Sequence, residues 1–126
     1  MRQHVSSGSP YEERYGFARA VRVGDRVMVS GTAPIPQDGS EPPTTAFDQM
    51  LLCADIAVSA LEELGGAVTD VVRTRMFVTD PDEADEVGRA HGEVFGAVRP
   101  AATMVVTRLL DERWKIEFEL DAVIDA

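Results

Sequence analysis

Cysteine, histidine and basic residues are all scarce in this chain. The single cysteine, Cys53, cannot form an internal disulfide, so a reducing compartment is expected. Two histidines and one cysteine are too few ligands for a zinc site, and no metal site is expected. Lysine and arginine number 12 against 22 acidic residues, a net charge of −10. This balance disfavours nucleic-acid binding, which draws its affinity from basic side chains.

Long hydrophobic runs are absent as well. No stretch approaches the roughly 20 apolar residues that cross a bilayer, and no apolar core of a signal peptide follows the first residues. We therefore expect a soluble cytoplasmic protein with no membrane partner. The chain does have 44% hydrophobic residues in a length of 126, which is enough to give one domain its own core.

The first residues differ in composition from the rest of the chain. Residues 1–15 are polar and contain glycine, proline and several charges, which predicts a loosely ordered N-terminal arm. The remainder, 16–126, is expected to form a single domain without repeats or linkers. Within it, 16–31 alternates apolar and polar residues around Gly24 and Asp25, which predicts a hairpin with a two-residue turn.

Two helices are expected after a proline-rich loop. Residues 44–64 place apolar side chains three and four positions apart, which predicts a helix that stops at Gly65. A second helix is expected to start with Asp80 as its cap and Pro81 in its first turn, and to end at Gly96.

Strict alternation of apolar and polar residues predicts three further strands. They span 69–79, 102–109 and 114–123, each with one covered and one polar face. The predicted order is β-β-α-β-α-β-β. This is an α+β domain with both helices on one face of a mixed sheet.

Short motifs in this order are typical of the YjgF/RidA family of imine deaminases. They lie at 19–24, 29–33, 71–78, 94–95, 100–103 and 116–119. The chain resembles that family from about Tyr15 to Ala122. The resemblance implies a chorismate-mutase-like α+β fold and a homotrimer with clefts between its subunits. It also implies hydrolysis of imines and enamines, such as 2-aminoacrylate, to 2-keto acids and ammonia without a metal or organic cofactor.

The resemblance also implies the positions of the cleft residues. Glu117 matches the glutamate that orients and activates the attacking water. Thr103 matches the hydroxyl next to the family's substrate-binding arginine. Phe17, Ser30 and Gly31 match positions that line the cleft.

The substrate-binding arginine itself is replaced by Ala102. A guanidinium holds a carboxylate through two parallel hydrogen bonds, and its loss costs about two to three orders of magnitude in rate or affinity. Arg19, on the same strand face as Phe17, and Arg99, three residues before Ala102, are the candidates to replace it. The alternatives are a strand arginine paired with an acid for Arg19 and a solvated loop residue for Arg99.

Two functions therefore stay open at this point. One is a small-molecule hydrolase or deaminase acting on an imine, enamine or related metabolite. The other is a non-catalytic, metabolite-binding or regulatory trimer of the same fold. The charge disfavours the ribonuclease activity that some relatives are named for. His91 and Cys53 are expected to be packing residues, and the acidic run 80–86 a solvated helix start.

Overall fold

The computed structural model describes residues 1–125, which form one mixed sheet with helices packed on it. The elements in chain order are β1 (Arg2–Val5), α1 (Pro10–Tyr15), β2 (Ala20–Val23), β3 (Arg26–Thr32), α2 (Ala46–Glu63), β4 (Val71–Val78), α3 (Ala84–Phe95), β5 (Ala101–Val106) and β6 (Ile116–Val123). The six strands lie in the order β1-β2-β3-β6-β4-β5. Only β4 and β5 run parallel. The predicted α+β class and the element order after the arm are confirmed.

The long helix α2 provides most of the layer that covers the sheet. It begins after Thr45, whose side chain accepts a hydrogen bond from the Asp48 backbone N–H. Its inner face carries many alanines, so the helix lies close to β3 and β6. Its buried residues are Ala46, Gln49, Met50, Cys53, Ala54, Ala57, Ala60 and Leu61.

The second main helix, α3, is preceded by a 3-10 turn over Pro81–Glu83. Asp80 caps this turn by accepting from the Asp82 backbone N–H. The helix packs through Phe95, whose ring stacks on Phe118 of β6 with the centroids 5.6 Å apart. The predicted start at Asp80 and Pro81 is therefore confirmed, with one 3-10 turn before the α-helix proper.

The arm is ordered, so the prediction of a loosely ordered terminus is wrong. Strand β1 pairs antiparallel with β2, and Val5 lies opposite Ala20. Helix α1 has Ser9 as its N-cap and Pro10 in its first turn, and it ends at Gly16, which takes φ 77°. The arm is held by strand pairing, by the hydrogen bonds of Glu12 and by the packing of Tyr11 on Trp114, and hydrophobic periodicity within the arm does not detect such contacts.

The last two strands are shorter than predicted. Strand β5 ends at Val106 and β6 begins at Ile116. Between them Asp111 accepts a hydrogen bond from the Arg113 backbone N–H, which fixes a turn in place of extended chain. No helix within residues 1–125 is long and apolar enough to span a membrane.

Candidate functional site

A cavity of about 350 Å³ opens where the arm meets the start of β6 and the loop after β3. Its walls come from α1 and the residues flanking it, the end of β3 with the residues that follow it, the turn before β6 and the start of β6, with Ile56 of α2. Tyr11 and Tyr15 come from α1, and Trp114 comes from that turn. Phe17, Arg19, Gly31 and Glu117 also line the cavity. Four of the predicted site residues therefore meet in one place.

Glu117 is the acidic group of this cavity. It lies on β6, and its side chain points away from the helices because Ile116 and Phe118 point into the core. The carboxylate lies against the backbone of Gly31, so closely that a Cβ at position 31 would collide with it. Pairing between β3 and β6 shifts register between Val29 and Thr32, at the point where Gly31 sits.

Burial raises the pKa of Glu117 above that of an exposed glutamate. The nearby Arg19 guanidinium opposes this rise of the pKa, and the negative charge of Glu119 adds to it. A carboxylate whose pKa is raised is a stronger base and holds a proton more readily. Such a group is suited to taking a proton from water.

Arg19 is held by its neighbours and is only 5% exposed. Its Nη1 donates to the Gly31 carbonyl at 3.0 Å and to Thr32 Oγ1 at 3.2 Å. Its Nε lies 3.4 Å from Glu12 Oε2 and has no hydrogen-bond partner among residues 1–125. Burial lowers the pKa of Arg19, against the opposing charges of Glu12 and Glu117. The guanidinium is thus anchored to the strand end and to the arm.

Glu12 holds the arm and Arg19 together. Ser6 Oγ donates to Glu12 Oε1 at 2.7 Å, and both the hydroxyl and the backbone N–H of Ser7 donate to the same carboxylate. Burial alone would raise the pKa of Glu12, but these hydrogen bonds, together with the charge of Arg19, hold it below the ordinary value. Glu12 is therefore an ionised, buried partner of Arg19.

The other predicted site residues lie outside this cavity. Ser30 Oγ donates to the Ala18 carbonyl at 2.7 Å and so links β3 to the chain entering β2. Ala102 and Thr103 are exposed on β5, where Thr103 Oγ1 accepts from Arg73 Nη2 at 2.9 Å.

The strand register explains why Ala102 and Thr103 lie away from Glu117 and its cavity. Glu117 of β6 lies opposite Phe77 of β4, and Phe77 pairs with Val105 of β5, so a full strand lies between Glu117 and β5. Arg99 is exposed just after α3, where it takes the left-handed φ of 56°. Within one chain Phe17, Arg19, Gly31 and Glu117 come together, whereas Ser30, Arg99, Ala102 and Thr103 do not join them.

Sequence reasoning missed the contribution of the arm. Tyr11 and Tyr15 line the cavity with their rings stacked at a centroid distance of 6.2 Å, and Trp114 packs edge-on to Tyr11 at 6.1 Å. A local signal was present: Ser9 followed by Pro10 and two acidic residues is a typical helix start. That signal predicts helix α1, but it does not predict where α1 packs.

Cys53 and His91 are packing residues, as the sequence predicted. Cys53 is fully buried, and burial, with the charge of Glu117 nearby, raises the pKa of its thiol well above the ordinary value. His91 Nε2 lies 2.8 Å from Thr74 Oγ1, and burial lowers the pKa of the imidazole. Among residues 1–125 no group of three or more His, Cys, Asp or Glu side chains is placed to hold a metal ion.

Gly31→Ala should move the Glu117 carboxyl group out of its present place. The new Cβ would collide with Glu117 Oε2, and the end of a glutamate side chain can rotate away at a cost of about 1 kcal/mol. The displaced carboxyl becomes more solvated, so its pKa should fall toward that of an exposed glutamate. Carbon-13 NMR titration of the Glu117 carboxyl measures this shift.

Gly88→Ala is the matched control for that variant. A Cβ at Gly88 meets no atom within 4 Å, and the residue lies inside α3, where alanine is favoured over glycine. The Glu117 titration should not change in this variant. An unchanged titration in Gly31→Ala as well would contradict the close contact between Gly31 and Glu117.

Comparison with known proteins matches this chain to one family along most of its length. The family described as endoribonuclease L-PSP matches residues 9–124. The protein SCO2049 of Streptomyces coelicolor is 40% identical over 121 residues, which are 95% of this chain and 90% of that protein. The 2-iminobutanoate/2-iminopropanoate deaminase of Escherichia coli is 28% identical over 110 residues, 85% of this chain and 86% of that enzyme.

A solved structure shares the whole fold. Rv2704 of Mycobacterium tuberculosis, a member of the YjgF/YER057c/UK114 family, superposes with a TM-score of 0.89 at 38% sequence identity. The match covers 98% of this chain and 100% of that one. This likeness confirms the predicted YjgF/RidA fold.

Proposed function

The chain belongs to the endoribonuclease L-PSP family, and from that premise we propose that it hydrolyses small imines or enamines, with Glu117 as the catalytic base. The observation that carries the proposal is the Glu117 carboxylate, which lies half-buried against Gly31 in a cavity that a small molecule can enter. A relative named as an imine deaminase supports the reaction class.

The reaction needs one water and one base. Glu117 takes a proton from water as the oxygen attacks the imine carbon and gives that proton to the nitrogen, so that a neutral tetrahedral aminoalcohol forms. Glu117 then takes the hydroxyl proton and passes it to the nitrogen as the carbon–nitrogen bond breaks, and a carbonyl compound and an amine or ammonia leave. An enamine first takes a proton on carbon and becomes the imine.

A homotrimer completes the cleft in this proposal. Ala102 and Thr103 are exposed on the edge strand β5, so a second chain can reach them. The sheet face opposite the helices also carries partly exposed apolar side chains, among them Met28 and Val105. We expect light scattering after gel filtration to give about three times the 13.7 kDa of one chain.

Imine hydrolysis tests the function directly. Two substrates would be compared: 2-aminoacrylate, made in situ from serine by a dehydratase, and benzylidene-methylamine, which carries no carboxylate. We expect release of pyruvate or benzaldehyde above the solvent rate for at least one of them. If a folded protein accelerates neither, the hydrolase proposal fails and the metabolite-binding alternative takes its place. The metabolite-binding alternative is favoured by alanine at position 102, because its side chain has no hydrogen-bond donor for a substrate carboxylate.

Ala102→Arg should raise the rate with 2-aminoacrylate by about tenfold to a hundredfold. A guanidinium restores a paired hydrogen bond to the substrate carboxylate, worth a few kcal/mol in a desolvated cleft. The side chain of Ala102 is exposed, so the chain should fold with arginine there. The measurement is kcat/KM for pyruvate release.

Ala101→Arg is the control for that gain. It adds the same charge one residue earlier on β5, where the side chain is also exposed but points to the other face. An equal gain in both variants would indicate a general charge effect and would contradict the position assigned to residue 102.

A further inference from the structure

We propose that this cavity selects imines that bear an aromatic or other apolar group and no carboxylate, and that it binds them as the protonated iminium cation. The reaction step of this inference rests on the proposed function. The binding step stands by itself and is tested without turnover. Two independent features of the cavity support the proposed binding of such a cation: the charge of the cavity and the aromatic side chains of its walls.

Among residues 1–125, the charged side chains that line the cavity are Arg19 and Glu117. Arg19 is already paired with Glu12, which does not line the cavity but lies 3.4 Å from the Arg19 Nε, so Glu117 is the negative charge left in excess. Arg19 is the only basic side chain that lines the cavity among residues 1–125. A substrate carboxylate would enter beside Glu117 with no unmatched cation to receive it, whereas an iminium cation neutralises the excess.

Arg19 is poorly placed to bind a carboxylate. Its Nη1 already donates to Gly31 and Thr32, Glu12 lies 3.4 Å from its Nε, and the residue is 5% exposed. Turning the guanidinium toward a ligand would leave the Glu12 carboxylate buried without its cation, which is strongly unfavourable. The sequence-based candidate role of Arg19 as a replacement carboxylate anchor is therefore not the one we propose.

The walls of the cavity are aromatic. The chain has two tyrosines and one tryptophan, and all three line this cavity together with Phe17. Tyr15 is 64% exposed, so it leaves apolar surface for a ligand to cover. Aromatic faces pack well against an apolar ring and attract a cation. These aromatic walls therefore fit a ligand that has both an apolar ring and a positive charge.

The reaction of such a cation balances with these groups. Water adds to the carbon of the protonated C=N bond as Glu117 takes one of its protons. Glu117 returns that proton to the nitrogen of the aminoalcohol, then takes the hydroxyl proton as the carbon–nitrogen bond breaks. It passes this second proton to the leaving amine, so that an aldehyde or ketone and a protonated amine leave. One water is consumed and Glu117 ends ionised. A protonated imine is the more electrophilic form, so Glu117 both favours the cation and generates the nucleophile.

Three ligands of the same shape test the binding step: benzylamine as its ammonium ion, benzyl alcohol and benzoate. Trp114 is the only tryptophan and lines the cavity, so its fluorescence reports binding directly. We expect saturable binding of benzylamine at least tenfold tighter than that of benzoate, with benzyl alcohol between them. Methylammonium, which lacks the ring, should bind weakest of the cations.

Two variants test whether the preference for the cationic ligand arises in the cavity. Glu117→Gln should reduce benzylamine affinity by about tenfold and leave benzyl alcohol nearly unchanged, because only the charged ligand loses a partner. Glu93→Gln removes the same charge from an exposed position of α3, outside the cavity, and should change neither. Tighter binding of benzoate than of benzylamine, or no saturable binding of any ring ligand, would overturn the inference.

The outcomes separate this inference from the proposed function. Benzylamine binding without hydrolysis of any imine would support the binding step and remove the hydrolase function. Rapid hydrolysis of 2-aminoacrylate with no benzylamine binding would support the hydrolase function and overturn the inference. A kcat/KM for benzylidene-methylamine above that for 2-aminoacrylate would support both.

Discussion

Glu117→Gln should lower the rate of imine hydrolysis by about 10²- to 10⁴-fold, the range that removal of a general base produces. Glutamine fills the same space against Gly31 but cannot take a proton from water. The expected loss is in kcat, with a smaller change in KM for a neutral substrate, because water activation occurs after binding. Glu93→Gln, at an exposed position of α3 outside the cavity, should keep its activity within about twofold.

The pH dependence of the wild-type protein tests the same assignment. The base must be ionised, so kcat/KM should fall as the pH drops through the pKa of Glu117. Burial raises that pKa, so the midpoint of the fall in kcat/KM on the acidic side of the pH profile (the acidic limb) should lie above the ordinary glutamate pKa of 4.5. A side-chain amide does not titrate in this range, so the limb should be absent from the residual activity of Glu117→Gln. A limb that persists in that variant would assign the base to another residue.

In Glu117→Gln, the stability at pH 7 should rise while the activity falls. Because the folded state raises the pKa of Glu117, stability from this group is present at low pH and is lost as pH rises through the folded pKa. Glu117→Gln should therefore raise the melting temperature at pH 7 and not at pH 4. This is the trade-off expected when a buried charge is kept for function. A lower melting temperature at pH 7 would contradict a net cost of burying the Glu117 charge.

Most of the secondary structure could be predicted because its signals are local. The stripe over 44–64 matches α2 (Ala46–Glu63) to within two residues at each end. Gly24 and Asp25 form the two-residue turn between β2 and β3, with Val23 opposite Arg26. These patterns need only side-chain periodicity and turn chemistry. Strand ends were less well predicted, because the turn at Asp111 competes with the extended pattern.

The environment of the site could be predicted only in part. The resemblance implied Glu117 and Gly31 as cleft residues, and in the structure they lie on the neighbouring strands β6 and β3, where the carboxylate meets the glycine backbone. Two roles were open for Arg19, an anchor for substrate or a strand arginine paired with an acid. The structure pairs it with Glu12, from a segment for which a loose arm was predicted. Alternation along β2 gives the face of a side chain but not its partner, because the partner comes from another part of the chain.

Glu12→Gln should destabilise the protein by about 3–5 kcal/mol, because it leaves Arg19 as a buried charge without its partner. Both side chains are nearly inaccessible, at 4% and 6% exposure, so water cannot replace the lost charge. Urea unfolding at pH 7 measures the loss. For the wild type, the pKa of Glu12 is lowered in the fold, so its stabilisation is present above the ordinary value of 4.5 and is lost as pH falls through the folded pKa.

Two comparisons decide whether the ion pair or the helix is responsible. Glu13→Gln makes the same change at an exposed position of α1 and should alter stability by less than about 0.5 kcal/mol. Adding Arg19→Gln to Glu12→Gln removes the stranded charge and should recover part of the loss, since the two residues are in contact and their effects are not additive. Equal losses from Glu12→Gln and Glu13→Gln would show instead that α1 is sensitive to any change. Recovery in the double variant, with Trp114 fluorescence still reporting benzylamine binding, would mean that the loss in Glu12→Gln comes from the stranded Arg19 charge and that Arg19 does not itself bind the ligand.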